Sequence, residues 1–560
     1  MKRAPELATV TRRDTPVDAI VVGSGANGGV AARQLTAAGL RVLVLEAGRP
    51  LAGWIDHGTR VTNGARHLYR HFVSRRQLVQ QAHPTYWNTN PDLFVDDIDN
   101  PYLTPPDMPF RWIRGRQVGG RTLTWDAVMP RFSDVELGAA ELDGHGPSWP
   151  IRHSDLAPYY ADLERFFGVH GSRDGLAQLP DGDFLPPRPM THGEKIFKQR
   201  VERAFGDRKV IVSRGIHAGR SPDFGQKFSR ASSQATTLRA AARTGNMELR
   251  SHSIVSRILL DKEGKARGVE VIDALTHAVT RITARVVFLC ASTIESVRIL
   301  LNSRTPEHPF GLGGSSDVLG RYLMDHSASN TYFYMPGVQD DGTTHALFGS
   351  DAIMIPRFQN LTGQSSDFLR GFGMWGGIQR IAVPNLFRKQ PGVSFGFLCS
   401  RAEMLPHADN RITLDATQTD AWGVPVPHIA CEWKAQDRAL ANAERQMTVQ
   451  TIEAAGGQVA DFSDLFHLPF VGERVRGMEK QWELSTPGMF VHEVGGARMG
   501  SDRRSSVVDP NCRVWDAPNV FVTDGACWPT SGWQNPTLTE MAITARACDH
   551  AVGELKRMNL

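Results

Sequence analysis

Asp18-Ala-Ile-Val-Val-Gly23-Ser-Gly-Ala-Asn-Gly28 is the stretch whose reading decides the fold. Its apolar run reads as a buried strand, and the residues after it, Val30, Ala31, Leu35 and Ala38, recur at helical spacing until Gly39 stops them. A second apolar run, Arg41-Val-Leu-Val-Leu45, ends in Glu46, about 20 residues beyond the glycines, where a dinucleotide site places its ribose-binding acid. Each glycine has a mechanical task. Gly23 permits a tight turn, Gly25 lets the backbone approach a pyrophosphate, and Gly28 lets the helix lie close on the strand. The helix N-terminus presents free N–H groups to the anion. Glycines at this spacing also arise by chance in loops; the strand before them, the helix after them and the acid beyond give the pattern its weight.

Outward from this unit, residues 50–115 are polar, aromatic and rich in Pro and Asn, which predicts long surface loops. A second glycine cluster follows, Arg114-Gly-Arg-Gln-Val-Gly-Gly-Arg-Thr-Leu-Thr-Trp125. Ile254–Leu260 and Val269–Ile272 read as paired strands around the turn Glu263-Gly264, and Val286-Val-Phe-Leu-Cys-Ala291 as a buried strand leading into a helix through Leu301. Between about 327 and 450 the strand-then-helix rhythm is lost. Alternating segments such as Thr331-Tyr-Phe-Tyr-Met and Ser394-Phe-Gly-Phe-Leu predict an antiparallel sheet there. After His492 the rhythm returns, with a strand Val520–Asp524 and a closing helix from Pro536. The fold expected is α/β: a discontinuous Rossmann-type domain carrying an inserted α+β domain with a mostly antiparallel sheet. Residues 15–326 would be mainly the dinucleotide domain, with excursions at about 50–110 and 150–245; residues 327–480 would bind substrate, and 481–560 would return to the first domain.

The chain's 560 residues exceed one compact core, and 41% of them are hydrophobic, so two well-filled regions are expected. A balance of 63 Lys plus Arg against 59 Asp plus Glu leaves a net charge of +4, with no basic run dense enough to track a phosphate backbone. Nucleic acid is set aside as a partner. The opening stretch contains Arg12 and Arg13 but lacks the apolar core of a signal peptide, and reads as a short, mobile cytoplasmic tail. No window approaches about 18 consecutive apolar residues, so no membrane span is expected. Cys290, Cys399, Cys431, Cys512, Cys527 and Cys548 form no C-x-x-C pair, which suggests neither a metal site nor a disulfide framework. Oligomeric state is open at this level.

The N-terminal unit ending in Glu46-Ala-Gly, the cluster Gly115-Arg-Gln-Val-Gly-Gly120, Phe288-Leu-Cys-Ala-Ser-Thr-Ile-Glu-Ser296, His492-Glu-Val-Gly-Gly-Ala-Arg-Met-Gly500 and Asn535-Pro-Thr-Leu-Thr539 together resemble the glucose-methanol-choline (GMC) FAD-dependent oxidoreductases over nearly the whole chain. Asn100-Pro-Tyr, Arg116-Gln-Val-Gly-Gly-Arg-Thr122, Trp149-Pro-Ile with Pro158-Tyr-Tyr, and Gly320-Arg-Tyr-Leu-Met-Asp-His326 are similar to the bacterial branch of glucoside 3-dehydrogenases, pyranose oxidases and C-glycoside oxidases. The resemblance implies FAD held by Gly23, Gly25, Ala26, Gly28, Glu46, Ala47, Arg116, Gly119, Gly120, Thr124, Trp125, Val255, Ala291, Asp524, Gly525, Asn535 and Thr537. Some pyranose oxidases attach FAD through a His at the place held here by Thr124, so non-covalent FAD is implied.

Within that resemblance, His492 falls at the position of the base and Asn535 at that of the second catalytic residue. Oxidising an alcohol removes a proton from oxygen and a hydride from carbon, and no side chain accepts hydride. Flavin N5 would accept it, while neutral imidazole suits the proton. The bland alternatives are a buried structural histidine at His492 and a helix N-cap at Asn535, followed by Pro536 in the first turn. Asp325-His326, read as the end of a helical segment, could face the site or form a core pair. Trp112, Trp125 and Trp375 could stack on a sugar, though core packing is the simpler reading. Glu403, Pro406, Asn410 and Arg411 are assigned a structural role. The function expected is oxidation of a ring secondary hydroxyl of a pyranose or glycoside, with oxygen or a quinone as acceptor. Its rivals are a choline-like or aliphatic alcohol as substrate, and a flavin-binding protein without catalysis.

Overall fold

The computed structural model describes residues 17–51, 69–82, 90–217, 231–340, 342, 347–364, 367–381, 383–467 and 486–560; the expected N-terminal tail, and parts of the loops expected between 50 and 115, lie outside them. The glycine unit folds as read. Strand Val17–Val22 leads through Gly23 and Gly25 into helix Ala26–Ala37, and strand Val42–Leu45 pairs parallel to the first. Gly39 adopts a left-handed φ of 86° just past the helix, a conformation cheap only for glycine.

These strands sit inside an eight-stranded sheet. Its main path runs Arg513–Val514, Ala517–Val522, Val279–Leu289, Val17–Val22, Val42–Leu45, Met247–Arg250. All neighbours on this path are parallel except the Arg513–Val514 edge. Val279–Leu289 serves two roles along its length. Thr280–Thr283 pair antiparallel with strand Ala266–Asp273, and Ala284–Leu289 pair parallel with Val17–Val22. Its side chains become continuously buried from Val286, within the parallel half, as the strand enters the layer covered by helices. The expected pair around Glu263-Gly264 is present, as strands Ser253–Leu260 and Ala266–Asp273. Helix Thr293–Asn302 follows Val279–Leu289, and helix Thr537–Lys556 packs against Ala26–Ala37.

A second sheet of six antiparallel strands has the order Gln458–Ala460, Ser327–Gln339, Val393–Ala402, Phe372–Ile378, Ile353–Ile355, Ile211–Val212. Period-two alternation gives it two apolar faces. Phe333, Met374 and Leu398 pack under helices His192–Ala204 and Ala435–Ala454. Trp375, Phe397 and Cys399 pack with Trp533 and Phe490 on the opposite face. Gly373 is required on that face, because a Cβ there would lie 2.1 Å from the Trp533 ring.

Two expectations are corrected. Asp325-His326 does not end a helix: the chain is irregular over 318–326, where Gly320 (φ 85°) and Tyr322 (φ 65°) hold left-handed conformations that a helix cannot include. The 20-residue helix Ala435–Ala454 interrupts a stretch read as strands. All six cysteines are buried and unpaired.

Candidate active site

One cavity is lined by Glu46 and Val255 together with His492 and Asn535. Gly23 and Gly25 of the glycine turn line it too. A Cβ on Gly23 would strike the Cys290 carbonyl at 2.3 Å, and one on Gly28 the Gly23 carbonyl at 1.9 Å. Gly25 differs: nothing lies within 4 Å of where its Cβ would stand. That open space, over the N-terminus of Ala26–Ala37, is the cradle a pyrophosphate needs. Gly120 packs directly on Gly25, where a Cβ on Gly120 would lie 3.1 Å from the Gly25 Cα, and the Gly119 N–H donates to Ser24 Oγ at 3.0 Å. Glu46 is nearly buried, its carboxylate accepting from the Ser24 N–H at 3.1 Å and the Gly48 N–H at 2.9 Å. Burial pushes its pKa up while these donors pull it down. The donor set, glycine turn and cavity fit a dinucleotide.

Around His492, long-range contacts converge. Arg121 donates to Glu493 (2.8 Å), to the Val491 carbonyl (2.8 Å) and to Ser292 Oγ (2.9 Å), tying the second glycine cluster to two distant segments. Met324 and Val494 exchange backbone hydrogen bonds at 2.8 and 2.9 Å, which places residues 324–326 beside 492–494. Asp325 is fully buried and accepts the N–H groups of Gly488 (2.8 Å) and His492 (3.1 Å). Burial, with Glu493 nearby, raises it to about 7. The two imidazoles then meet, His326 Nδ1 to His492 Nδ1 at 2.9 Å, while His326 Nε2 reaches the Gly532 carbonyl. Burial first, and Arg401 second, hold the His326 pKa down at about 3.

Asn535 completes the pair: its Nδ2 lies 3.5 Å from His492 Nε2. Its Oδ1 accepts from Arg401, so the amide cannot be flipped and Nδ2 must face His492. Arg401 reaches the site because it shares a sheet face with Phe397 and Cys399, and its guanidinium lies over the rings of Trp375 and Phe490. The Asn535 N-cap is therefore corrected: Pro536 occupies the cap of helix Thr537–Lys556 and no side chain caps it, since the Asn535 oxygen is already engaged. Thr537 and Glu540, in the first turn, line the cavity; burial raises Glu540 to about 7.

The GMC oxidoreductase family model matches residues 214–328 in its N-terminal part and 406–544 in its C-terminal part, and an NAD(P)-binding Rossmann-like model matches 21–77. The chain belongs to the GMC oxidoreductase family. This GMC oxidoreductase is 27% identical to the 2-methyl-1,2-propanediol dehydrogenase of Mycolicibacterium austroafricanum, over 95% of this chain and 94% of that one. It is 27% identical to the C-glycoside 3-oxidase of Arthrobacter globiformis, over 78% of this chain and 74% of the other. Pyridoxine 4-oxidase from Mesorbium loti shares its fold, with a TM-score of 0.60, 16% identity, and coverage of 95% of this chain and 99% of that one. The chain is an oxidoreductase enzyme, and its family and Rossmann-type domain imply a flavin cofactor.

In this GMC oxidoreductase, Gly23, Gly25, Ala26, Glu46, Ala47, Arg116, Gly120, Thr124, Trp125, Val255, Ala291, His492, Asn535 and Thr537 all line the cavity. Gly28, Gly119, Asp524 and Gly525 do not. Gly28 packs helix on strand and Gly119 holds Ser24. Asp524 accepts from Ser296 Oγ (2.5 Å) and the Ala526 N–H (3.1 Å), with burial raising it to about 6, and a Cβ on Gly525 would meet Thr293 at 2.5 Å. Trp112 and Trp375 are buried, and Glu403 is ion-paired with Arg357 at 3.0 Å. Sequence reading passed over Arg401 and Arg121. Alternation with Phe397 and Cys399 was the available signal for Arg401, but it says nothing of which face meets the cavity. No helix among the described residues is long and apolar enough to cross a membrane.

Proposed function

We propose that this protein is an FAD-dependent oxidase or dehydrogenase that converts a ring secondary hydroxyl of a pyranose or glycoside to a ketone, with oxygen or a quinone as acceptor. The observation that carries the reading is the convergence of His492 Nε2 and Asn535 Nδ2, 3.5 Å apart, on a cavity that Glu46 and the glycine turn also line. FAD, when bound, would supply the acceptor for the hydride lost from carbon. Gly25 and the N-terminus of Ala26–Ala37 would hold its pyrophosphate and Glu46 its ribose. Thr124 offers no group for a covalent link, which supports non-covalent binding.

The chain's own residues then handle the hydroxyl. His492 Nε2 takes the proton as general base, and Asn535 Nδ2 donates to the same oxygen and fixes its direction. Arg401 keeps that amide from turning over. The N-terminus of Thr537–Lys556, beside Asn535, favours the negative charge left by reduction. A sugar or glycoside is favoured by the Arg116–Thr122 and Gly320–His326 wording and by the C-glycoside oxidase relative. The diol dehydrogenase relative keeps a non-sugar alcohol as the second reading. A cytoplasmic location accords with six unpaired cysteines.

The test is an anaerobic screen in which monosaccharides, O-glycosides, C-glycosides and a branched aliphatic diol are mixed with the yellow protein. Bleaching of the visible flavin band by a sugar or glycoside is expected. Bleaching by the diol alone would replace the substrate class, and bleaching by none would remove the reading.

A further inference from the structure

His326 touches His492 on the side away from Asn535, and the chemistry of its own contacts decides what passes between them. The Gly532 carbonyl can only accept, so His326 Nε2 must carry a proton. His326 is 3% exposed and packed near Arg401, an environment that keeps the imidazole neutral. A neutral ring with its proton on Nε2 has a lone pair on Nδ1. The 2.9 Å contact between the two Nδ1 atoms needs one proton, and only His492 is left to provide it.

We propose that His326 is a positioning residue that holds His492 in the tautomer with its proton on Nδ1, leaving the Nε2 lone pair directed at the substrate. The opposite tautomer would set two lone pairs against each other at 2.9 Å and turn an N–H toward the hydroxyl that has to be deprotonated. The backbone makes the contact obligatory. The Met324–Val494 pairing and the Asp325 acceptance of the His492 N–H fix both segments before either ring is placed. The charged groups around the pair leave the assignment intact. Glu493 is engaged by Arg121, Asp325 by backbone N–H groups, and Arg401 by the Asn535 oxygen. Once His492 has taken a proton on Nε2, its Nδ1–H still donates to His326, so the contact serves both protonation states.

This inference rests on His492 being the base, and two variants separate the two claims. In His326→Gln the amide can donate to Gly532 and accept from His492, preserving the direction of both bonds; His326→Leu preserves neither. In anaerobic flavin reduction at saturating substrate, the Gln variant is expected within roughly fivefold of wild type, and the Leu variant about a hundredfold slower with little change in KM. In protein labelled with 15N-histidine, the His492 resonances, identified by their loss in His492→Ala, are expected to report a protonated Nδ1 in wild type and the Gln variant, and a mixture in the Leu variant. A Leu variant as fast as wild type, a Gln variant as slow as Leu, or an Nε2-protonated His492 in wild type would each overturn the proposal. The tautomer is read without turnover. Unchanged activity in His492→Ala would instead strike the assignment of the base, leaving the resonances to decide the role of His326.

Discussion

Gly25 and Gly28 stand in one turn and answer to different demands. At Gly28 an added Cβ meets the Gly23 carbonyl, whereas at Gly25 it meets open space and the backbone is extended, at φ −71° and ψ −154°. Gly28→Ala is therefore expected to destabilise the fold by about 1–3 kcal/mol through overpacking. Gly25→Val should purify folded but without its yellow colour, because the side chain fills the pyrophosphate path, and should melt where wild type stripped of its flavin melts. Thermal melts and the ratio of visible to protein absorbance check both; a yellow Gly25→Val protein would contradict the placement. These glycines were legible because their chemistry is local. Arg401 was not, since its role depends on which face of its strand meets the cavity, and His326 was only half legible, since its partner lies across a pairing of Met324 with Val494. Asn535 was read with two roles, and its occupied oxygen excludes the cap.

Among the elements, strands announced themselves better than helices. The parallel run Val17–Val22 and the alternating Ser327–Gln339 and Val393–Ala402 carry their burial in their apolar pattern. Helix Ala435–Ala454 buries Asp437, Glu444, Thr448 and Thr451 together with few large apolar side chains, so no apolar stripe marks it. Its buried polar groups find partners both within the helix, where Thr448 Oγ1 donates to the Glu444 carbonyl at 2.7 Å, and across the interface, where Ser327 Oγ donates to the Glu444 carboxylate at 3.0 Å. Burial raises Glu444 to about 7. Below the ordinary carboxylate range the native and unfolded chains both hold its proton. From there up to about pH 7 the native chain alone retains it, so this group's contribution to stability falls as pH rises. Glu444→Gln lacks that loss. The difference in Tm, variant minus wild type, is expected to become more positive between about pH 4.5 and 7, the window set by the unfolded and folded values, and to level off above it. Parallel Tm profiles would show that Glu444 does not titrate in this way.

At the scale of the whole molecule, the cavity is assembled from segments scattered along the chain: the turn at 22–27, the cluster at 113–128, Ser253–Val255, the residues 290–295 leading into Thr293–Asn302, and the stretches around His492 and Asn535. Each segment was visible as a motif. Their convergence was not, because it depends on Arg121 reaching Glu493 and on residues 324–326 lying beside 492–494. His492 and Asn535, which line the cavity, contact His326 and Arg401 at the strand ends of the antiparallel sheet. The chemistry proposed requires His492 to be the group that takes the substrate proton. The direct test is anaerobic flavin reduction by the best substrate in His492→Ala beside wild type. The expected result is a yellow, folded variant whose flavin bleaches at least about a hundredfold more slowly. Bleaching at the wild-type rate would contradict it.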